Sequence, residues 1–97
     1  MLAKRPFKTK DEVEVTFEVE RPGAETADWL SEATDWEPIP MKRRGKGTFK
    51  LKVRLPKDAN IQFRYLFDGR DWANDEAADA YWPTDVGGDN SVVSTTV

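Results

Sequence analysis

The chain has 97 residues with a net charge of −3, from 15 basic and 18 acidic side chains, so it is long enough for one domain and has no general field that attracts nucleic acid. It contains no cysteine and no histidine, which excludes disulfides and thiolate chemistry and removes the commonest general base and metal ligand. We therefore expect a single domain over residues 1–97, with residues 1–10 as a lead-in segment or a short edge element.

The first clear strand is predicted over residues 13–19, where apolar residues at the odd positions alternate with glutamate and threonine. A turn at residues 21–24 closes it, because proline presets φ and glycine accepts positive φ. A second short strand is predicted over residues 27–30, and a loop follows over residues 31–38. Pro38 and Pro40 should keep the next stretch irregular.

A third amphipathic strand is predicted over residues 49–55, and the next strand, over residues 61–67, is the centre of the interpretation. Its aromatic positions 63, 65 and 67 share one face, while Gln62, Arg64 and Leu66 share the other. Asp68-Gly69 should form a tight turn, with Trp72 just beyond it.

Residues 70–90 lack strong periodicity and are predicted as a loop, with a possible helical turn over residues 75–80, before a last strand over residues 91–95. Several short strands separated by turns predict an all-β fold, an immunoglobulin-like (early-set) antiparallel β-sandwich.

The four tryptophans exceed what a small β core requires, and such amphipathic rings are often found at ligand surfaces. Trp29, on a predicted strand, is interpreted as structural. Trp82, beside Pro83, is left open between a core position and a ligand surface.

Several segments occur in the order in which they occur in the family 48 carbohydrate-binding modules, and the chain resembles that family over residues 11–95. These segments are Asp35-Trp36, Pro40-Met41, residues 49–55, residues 63–69 with Trp72, and residues 87–93. The family is also known as isoamylase N-terminal or early-set domains and includes the glycogen-binding domain of the AMP-activated kinase β subunit. The chain looks especially like the short stand-alone members, which carry no catalytic domain.

The resemblance implies non-catalytic binding of an α-glucan such as glycogen, starch or a maltooligosaccharide. Carried over by position, the implied site is Trp36, Arg64, Trp72 and Asn90, with Val86 as an apolar neighbour. The chemistry agrees, because indole faces match the C–H faces of sugars, while guanidinium and amide groups hydrogen-bond to hydroxyls.

The chain departs from the family pattern in the loop that precedes Trp36. The family glycine is Ser31, its aromatic residue is Ala33 and its asparagine is Thr34, while the usual lysine is Arg64 and Asp71 is an extra residue. The alternative is therefore a protein-interaction or structural early-set domain that has lost sugar binding.

Other chemistries have weaker support in the sequence. The basic run over residues 42–46 could contact phosphate, and Asp71, Asn74, Asp75 and Asp79 could bind Ca²⁺, but solvated loops explain both. Paired carboxylates for glycoside hydrolysis need a cleft that a small sandwich rarely offers. We expect no enzyme activity, cofactor or metal.

The partners expected from this reading are an α-glucan and, secondarily, a glycogen-metabolising enzyme or another protein, with no nucleic acid and no membrane. The N-terminal residues lack the apolar segment of a signal peptide, and no run reaches membrane-spanning length. A cytoplasmic location is therefore expected.

Overall fold

The computed structural model describes residues 2–6, 11–84 and 88–96, and ten strands lie within them. The strands are β1 (Leu2–Pro6), β2 (Glu12–Glu20), β3 (Ala27–Ser31), β4 (Ile39–Pro40), β5 (Lys42–Arg43), β6 (Thr48–Pro56), β7 (Asn60–Phe67), β8 (Asp71–Ala73), β9 (Ala80–Pro83) and β10 (Asp89–Ser94). One antiparallel sheet has the order β1-β2-β6-β5, and the other has the order β4-β3-β7-β10-β9, with β8 also paired to β7. The predicted immunoglobulin-like antiparallel β-sandwich is confirmed.

Aromatic rings join the two sheets at the centre of the core. Phe17 of β2 packs against Trp29 of β3 and Phe63 of β7, with ring centroids 5.0 and 4.9 Å apart. All three side chains are fully buried, and aromatic contacts of this kind stabilise a core beyond their burial alone. The interpretation of Trp29 as structural is confirmed.

Strand β7 shows the predicted alternation. Ile61, Phe63, Tyr65 and Phe67 are buried, and the side chains between them are half-buried on the opposite face. Because side chains alternate along a strand, β7 supplies both the core of the sandwich and the outer face of the second sheet.

The chain passes from the second sheet to the first at Met41, between β4 and β5. The Met41 side chain belongs to the buried core cluster, and its N–H donates to the carbonyl of Ala27 at 2.8 Å. The region predicted as irregular thus contains two-residue strands, and Pro40 is accommodated because β4 is an edge strand.

The N-terminal segment forms the edge strand β1, which pairs with β2. Lys4 of β1 forms a 2.6 Å ion pair with Asp79, which also accepts a hydrogen bond from the backbone N–H of Ser94 in the second sheet. Partial burial opposes ionisation of Asp79, but these two donors outweigh it and leave the pKa of the carboxyl below its usual value. The pair connects one edge of each sheet.

The region predicted as a loop over residues 70–90 contains β8 and β9, and no helical turn forms over residues 75–80. Asp75 is buried there. Its carboxylate accepts hydrogen bonds from the Tyr65 hydroxyl at 2.5 Å and from the N–H of Ala77 at 2.7 Å, and its own N–H donates to Ser91 Oγ at 2.9 Å. Side-chain bonds of this kind compete with helix formation. Burial, reinforced by the hydrogen bond to Asp75, raises the pKa of Tyr65.

Asp68-Gly69 forms the predicted turn, and both residues have positive φ, 53° and 69°. Asp68 Oδ1 also accepts the backbone N–H groups of Glu25 and Thr26 at 2.8 and 3.1 Å. These hydrogen bonds, of which the one from Glu25 has the larger effect, hold the pKa of the Asp68 carboxyl below its usual value. One side chain therefore joins the β7–β8 turn to the segment that precedes β3.

Asp68→Asn should weaken the acid dependence of stability. A carboxyl whose pKa is lower in the folded than in the unfolded state stabilises the fold above its unfolded pKa, near pH 4, and this contribution is lost as pH falls through the folded pKa. We expect Asp68→Asn to lower the melting temperature at pH 7 and to reduce its fall between about pH 5 and pH 2, as followed by circular dichroism.

Asp58→Asn is the matched control, since Asp58 also has φ 53° and its side chain accepts no hydrogen bond recorded among the described residues. If the melting temperature of Asp68→Asn fell with pH as steeply as that of the wild type, the stabilising role assigned to the Asp68 carboxylate would be contradicted.

Candidate functional site

Four of the five residues implied by the resemblance line one groove on the outer face of the second sheet. The groove has a volume of about 360 Å³. Its lining residues are Leu30, Trp36, Arg64, Trp72, Thr84 and Asn90. Val86, the fifth residue, lies outside the described residues.

The pairing of the strands explains why these residues meet. Leu30 of β3 lies directly opposite Arg64 of β7, and since Phe63 pairs with Ser91, the same register places Arg64 beside Asn90 of β10. Trp72 of β8 lies opposite Leu66. Directly opposed residues project on the same face of a sheet, so residues distant in sequence form one surface.

Leu30 shows that this surface is packed. Its side chain is buried, yet it does not belong to the core cluster between the sheets. The side chains around the groove therefore cover an apolar floor on the outer face.

The loop that carries Trp36 is held by Ser31. Ser31 is buried, and its hydroxyl donates to the carbonyl of Gln62 at 2.7 Å and accepts the N–H of Ala33 at 3.2 Å. It thereby caps a 3₁₀ turn, Glu32–Thr34. The loop is therefore ordered by a hydrogen bond to β7.

The backbone leaves this turn through two residues in the left-handed region, Asp35 at φ 53° and Trp36 at φ 60°. The N–H of Trp36 donates to the carbonyl of Ser31 at 2.8 Å and fixes the turn. For a bulky side chain this conformation costs about 1–3 kcal/mol and is found preferentially at functional sites. The fold thus holds Trp36 in a strained conformation at the rim of the groove.

The two groove tryptophans are exposed, Trp36 to 39% and Trp72 to 54%, in contrast to the buried Trp29. Both rings therefore offer apolar surface to solvent and are not core residues.

Arg64 is fixed by the backbone of β10. Its Nη2 donates to the carbonyl of Asp89 at 3.0 Å, while Nε is buried and has no hydrogen-bond partner among the described residues. The alternative considered for Arg64, an ion pair with a neighbouring carboxylate, is not recorded in the described part of the chain. The contact with Asp89 holds the guanidinium against the floor of the groove.

Asn90 is buried at the floor of the groove, and it is more than a turn residue. Its Nδ2 donates to Gln62 Oε1 at 3.0 Å, and Gln62 Nε2 in turn donates to Glu32 Oε2 at 2.8 Å. A chain of side chains therefore connects the floor of the groove to the 3₁₀ turn beneath Trp36.

Asn74 organises the Arg64 side of the site, a role that the sequence interpretation missed because it considered this residue only as a Ca²⁺ ligand. Asn74 Nδ2 donates to the carbonyl of Asp89 at 2.8 Å, and its Oδ1 accepts the N–H and the hydroxyl of Ser91 at 3.1 and 2.9 Å. Asn74 lies in a region predicted as a loop, where an asparagine carries no distinguishing signal.

The other candidate sites give less specific geometry. Within the described ranges, no three or more acidic side chains converge on a possible metal site; of the acidic residues considered for Ca²⁺, Asp75 and Asp79 have the partners given above. The basic run contributes to a second groove of about 290 Å³ on the first sheet, lined by Pro40, Lys42, Arg44, Lys50, Leu51 and Lys52. Among the described helices none has the length and apolar character needed to cross a membrane.

The Ser31 hydroxyl predicts a measurable contribution to stability. Ser31→Ala removes the cap and leaves the carbonyl of Gln62 without this donor, so we expect a loss of about 1–2 kcal/mol in the free energy of unfolding, measured by urea denaturation. Ser94→Ala, which removes a longer 3.4 Å contact with the N–H of Thr96, is the control and should cost less than about 0.5 kcal/mol. Equal costs for the two variants would show that Ser31 does not hold the loop.

Comparison with known proteins identifies the fold only. No family model and no curated protein matches the chain. Similar solved structures include the enterobactin esterase of Shigella flexneri, with a TM-score of 0.77 and 13% sequence identity. Another is the ferric enterobactin esterase of Salmonella typhimurium, with a TM-score of 0.75 and 12% sequence identity. Each match covers 97% of this chain but only 32% and 34% of the esterase chain. The chain thus spans about a third of the length of these proteins and shares a β-sandwich with them.

Proposed function

We propose that the protein is a non-catalytic α-glucan-binding domain of the family 48 carbohydrate-binding type. The observation that carries the proposal is the convergence of Trp36, Arg64, Trp72 and Asn90 on one groove. The resemblance nominated these four residues from separate parts of the sequence. The strand register, which is independent of the resemblance, brings Arg64, Asn90 and Trp72 together, and the turn that follows β3 adds Trp36.

The exposed rings would supply most of the binding energy. A pyranose that covers about 50 Å² of apolar surface on an indole gains on the order of 1 kcal/mol. Trp36 and Trp72 have the exposure needed for such stacking, and the backbone strain at Trp36 is consistent with a ring held for a ligand.

Arg64 and Asn90 would provide the polar contacts. Both are fixed before binding, Arg64 by the carbonyl of Asp89 and Asn90 by Gln62, so little side-chain entropy is lost when a sugar hydroxyl hydrogen-bonds to either of them. Affinity for a single sugar would still be weak, and a polymer with repeated contacts is the favoured ligand.

The groove lies on a sheet face with aromatic rings at its rim, and among the described residues its lining includes no aspartate or glutamate. This supports binding rather than glycoside hydrolysis, which needs two carboxyl groups on either side of the bond. We propose a role in the cytoplasm beside glycogen or starch, with a glycogen-metabolising enzyme as a second partner.

The alternative function is a protein-interaction domain, and the second groove favours it. Its four basic side chains, Lys42, Arg44, Lys50 and Lys52, have no recorded ion pair among the described residues, and Lys42 lies directly opposite Lys50. Like charges in this arrangement are destabilising. Glu18 of β2, directly opposite Lys50, offsets part of the repulsion, and an acidic protein segment would relieve the rest. Glucan binding at the groove on the other sheet does not require these residues.

The test of the proposal is a titration of ¹⁵N-labelled protein with maltoheptaose and β-cyclodextrin. We expect saturable shifts centred on the groove, including the indole N–H signals of Trp36 and Trp72. Trp72→Ala should remove binding at millimolar sugar, while its melting temperature changes by no more than a few degrees because the ring is 54% exposed.

Trp29→Ala is the contrasting variant, since loss of this buried ring should cost about 3–5 kcal/mol in stability. An absence of shifts at several millimolar sugar in the wild type would overturn the proposed function, and a large loss of stability in Trp72→Ala would assign that ring to the core.

A further inference from the structure

A row of side chains crosses the outer face of the second sheet and continues past the groove. Leu30 pairs with Arg64, the register of β7 and β10 places Arg64 beside Asn90, and Asn90 lies directly opposite Trp82 of β9. The row Leu30, Arg64, Asn90 and Trp82 thus runs perpendicular to four adjacent strands. Trp82 is its outer end.

Trp82 shares the face of the groove. Directly opposed residues have Cβ atoms about 5 Å apart on the same side of the sheet, so Trp82 neighbours Asn90. Thr84, two residues further along the chain and therefore on the same side, lines the groove itself. The neighbouring Tyr81 points to the other side, where its hydroxyl donates to the carbonyl of Asp75.

The core does not explain a tryptophan at this position. Trp82 is 39% exposed, as much as Trp36, and it is absent from the core cluster and from the residues packed against it. It lies on an edge strand, where natural sheets usually place charged residues or proline on the exposed surface. A large apolar ring there is typical of a contact surface.

The spacing sets the kind of ligand that could use this ring. Adjacent strands lie about 4.8 Å apart. Measured across the sheet, the strand of Trp82 is therefore about 10 Å from the strand of Arg64 and about 14 Å from the strand of Leu30. One sugar cannot stack in the groove and on Trp82 at the same time, whereas a chain of linked sugars can span both.

We propose that Trp82 is an outlying stacking site for an extended α-glucan, reached by a chain that leaves the groove over Asn90. This inference rests on the proposed function and specifies its substrate: the domain prefers a run of linked glucose units to a short oligosaccharide. Trp82 contributes only when the ligand is long enough to cross β10.

The experiment compares the affinities of maltotriose and maltoheptaose for the wild type, Trp82→Ala and Trp82→Phe, measured by calorimetry or by NMR titration. Trp82→Ala should weaken maltoheptaose binding on the order of fivefold and leave maltotriose binding unchanged. Trp82→Phe, which keeps a flat ring, should retain most of the difference between the two sugars. Tyr81→Phe is the matched control, because it changes β9 on the opposite face and should alter neither affinity.

The wild type gives a second readout that does not depend on the stability of any variant. The indole N–H signal of Trp82 should shift with maltoheptaose and stay in place with maltotriose, while those of Trp36 and Trp72 should shift with both sugars. This inference alone would be overturned if Trp82→Ala kept the wild-type preference for maltoheptaose, or if the Trp82 indole signal did not shift with maltoheptaose. Failure of both sugars to bind the wild type would overturn the proposed function together with it.

Discussion

The alternation of side chains along β7 is the constraint on which the rest of the structure depends. Phe63, Tyr65 and Phe67 fill the core, so the residues between them must face outward, whatever their chemistry. A shift of one residue in register would bury Arg64 and expose the aromatic rings. The cost of burying an unpaired guanidinium therefore fixes the position of the groove as firmly as the aromatic packing fixes the sandwich.

The groove itself depends on a few fixed polar atoms. The carbonyl of Asp89 accepts hydrogen bonds from both Arg64 and Asn74, and Asn74 is in turn held by Ser91. Each of these groups lies on or beside a paired strand, so the guanidinium is positioned by the sheet and not by a mobile loop. A surface arranged in this way would need little rearrangement to bind a ligand.

The sequence predicts the long strands well because their period-2 pattern spans many residues, as in β2, β6 and β7. It does not predict β9, because four residues carry too little periodicity and their pairing with β10 is a long-range property. The four groove positions Trp36, Arg64, Trp72 and Asn90 could be named from the sequence. The role of Asn74 beside them could not, since it depends on a backbone carbonyl that no sequence pattern reveals. The sequence also does not assign Trp82 to a face, because only the pairing of β9 with β10 places it on the outer side of the sheet.

The strands at the ends of the two sheets have five, two, two and four residues. Three of them, β1, β4 and β9, end in proline, and the fourth, β5, consists of Lys42 and Arg43. Short edges with proline or positive charge are poor templates for a strand from another molecule. Many copies could therefore crowd onto one surface without joining edge to edge into aggregates, which is a property that any domain concentrated by its ligand requires.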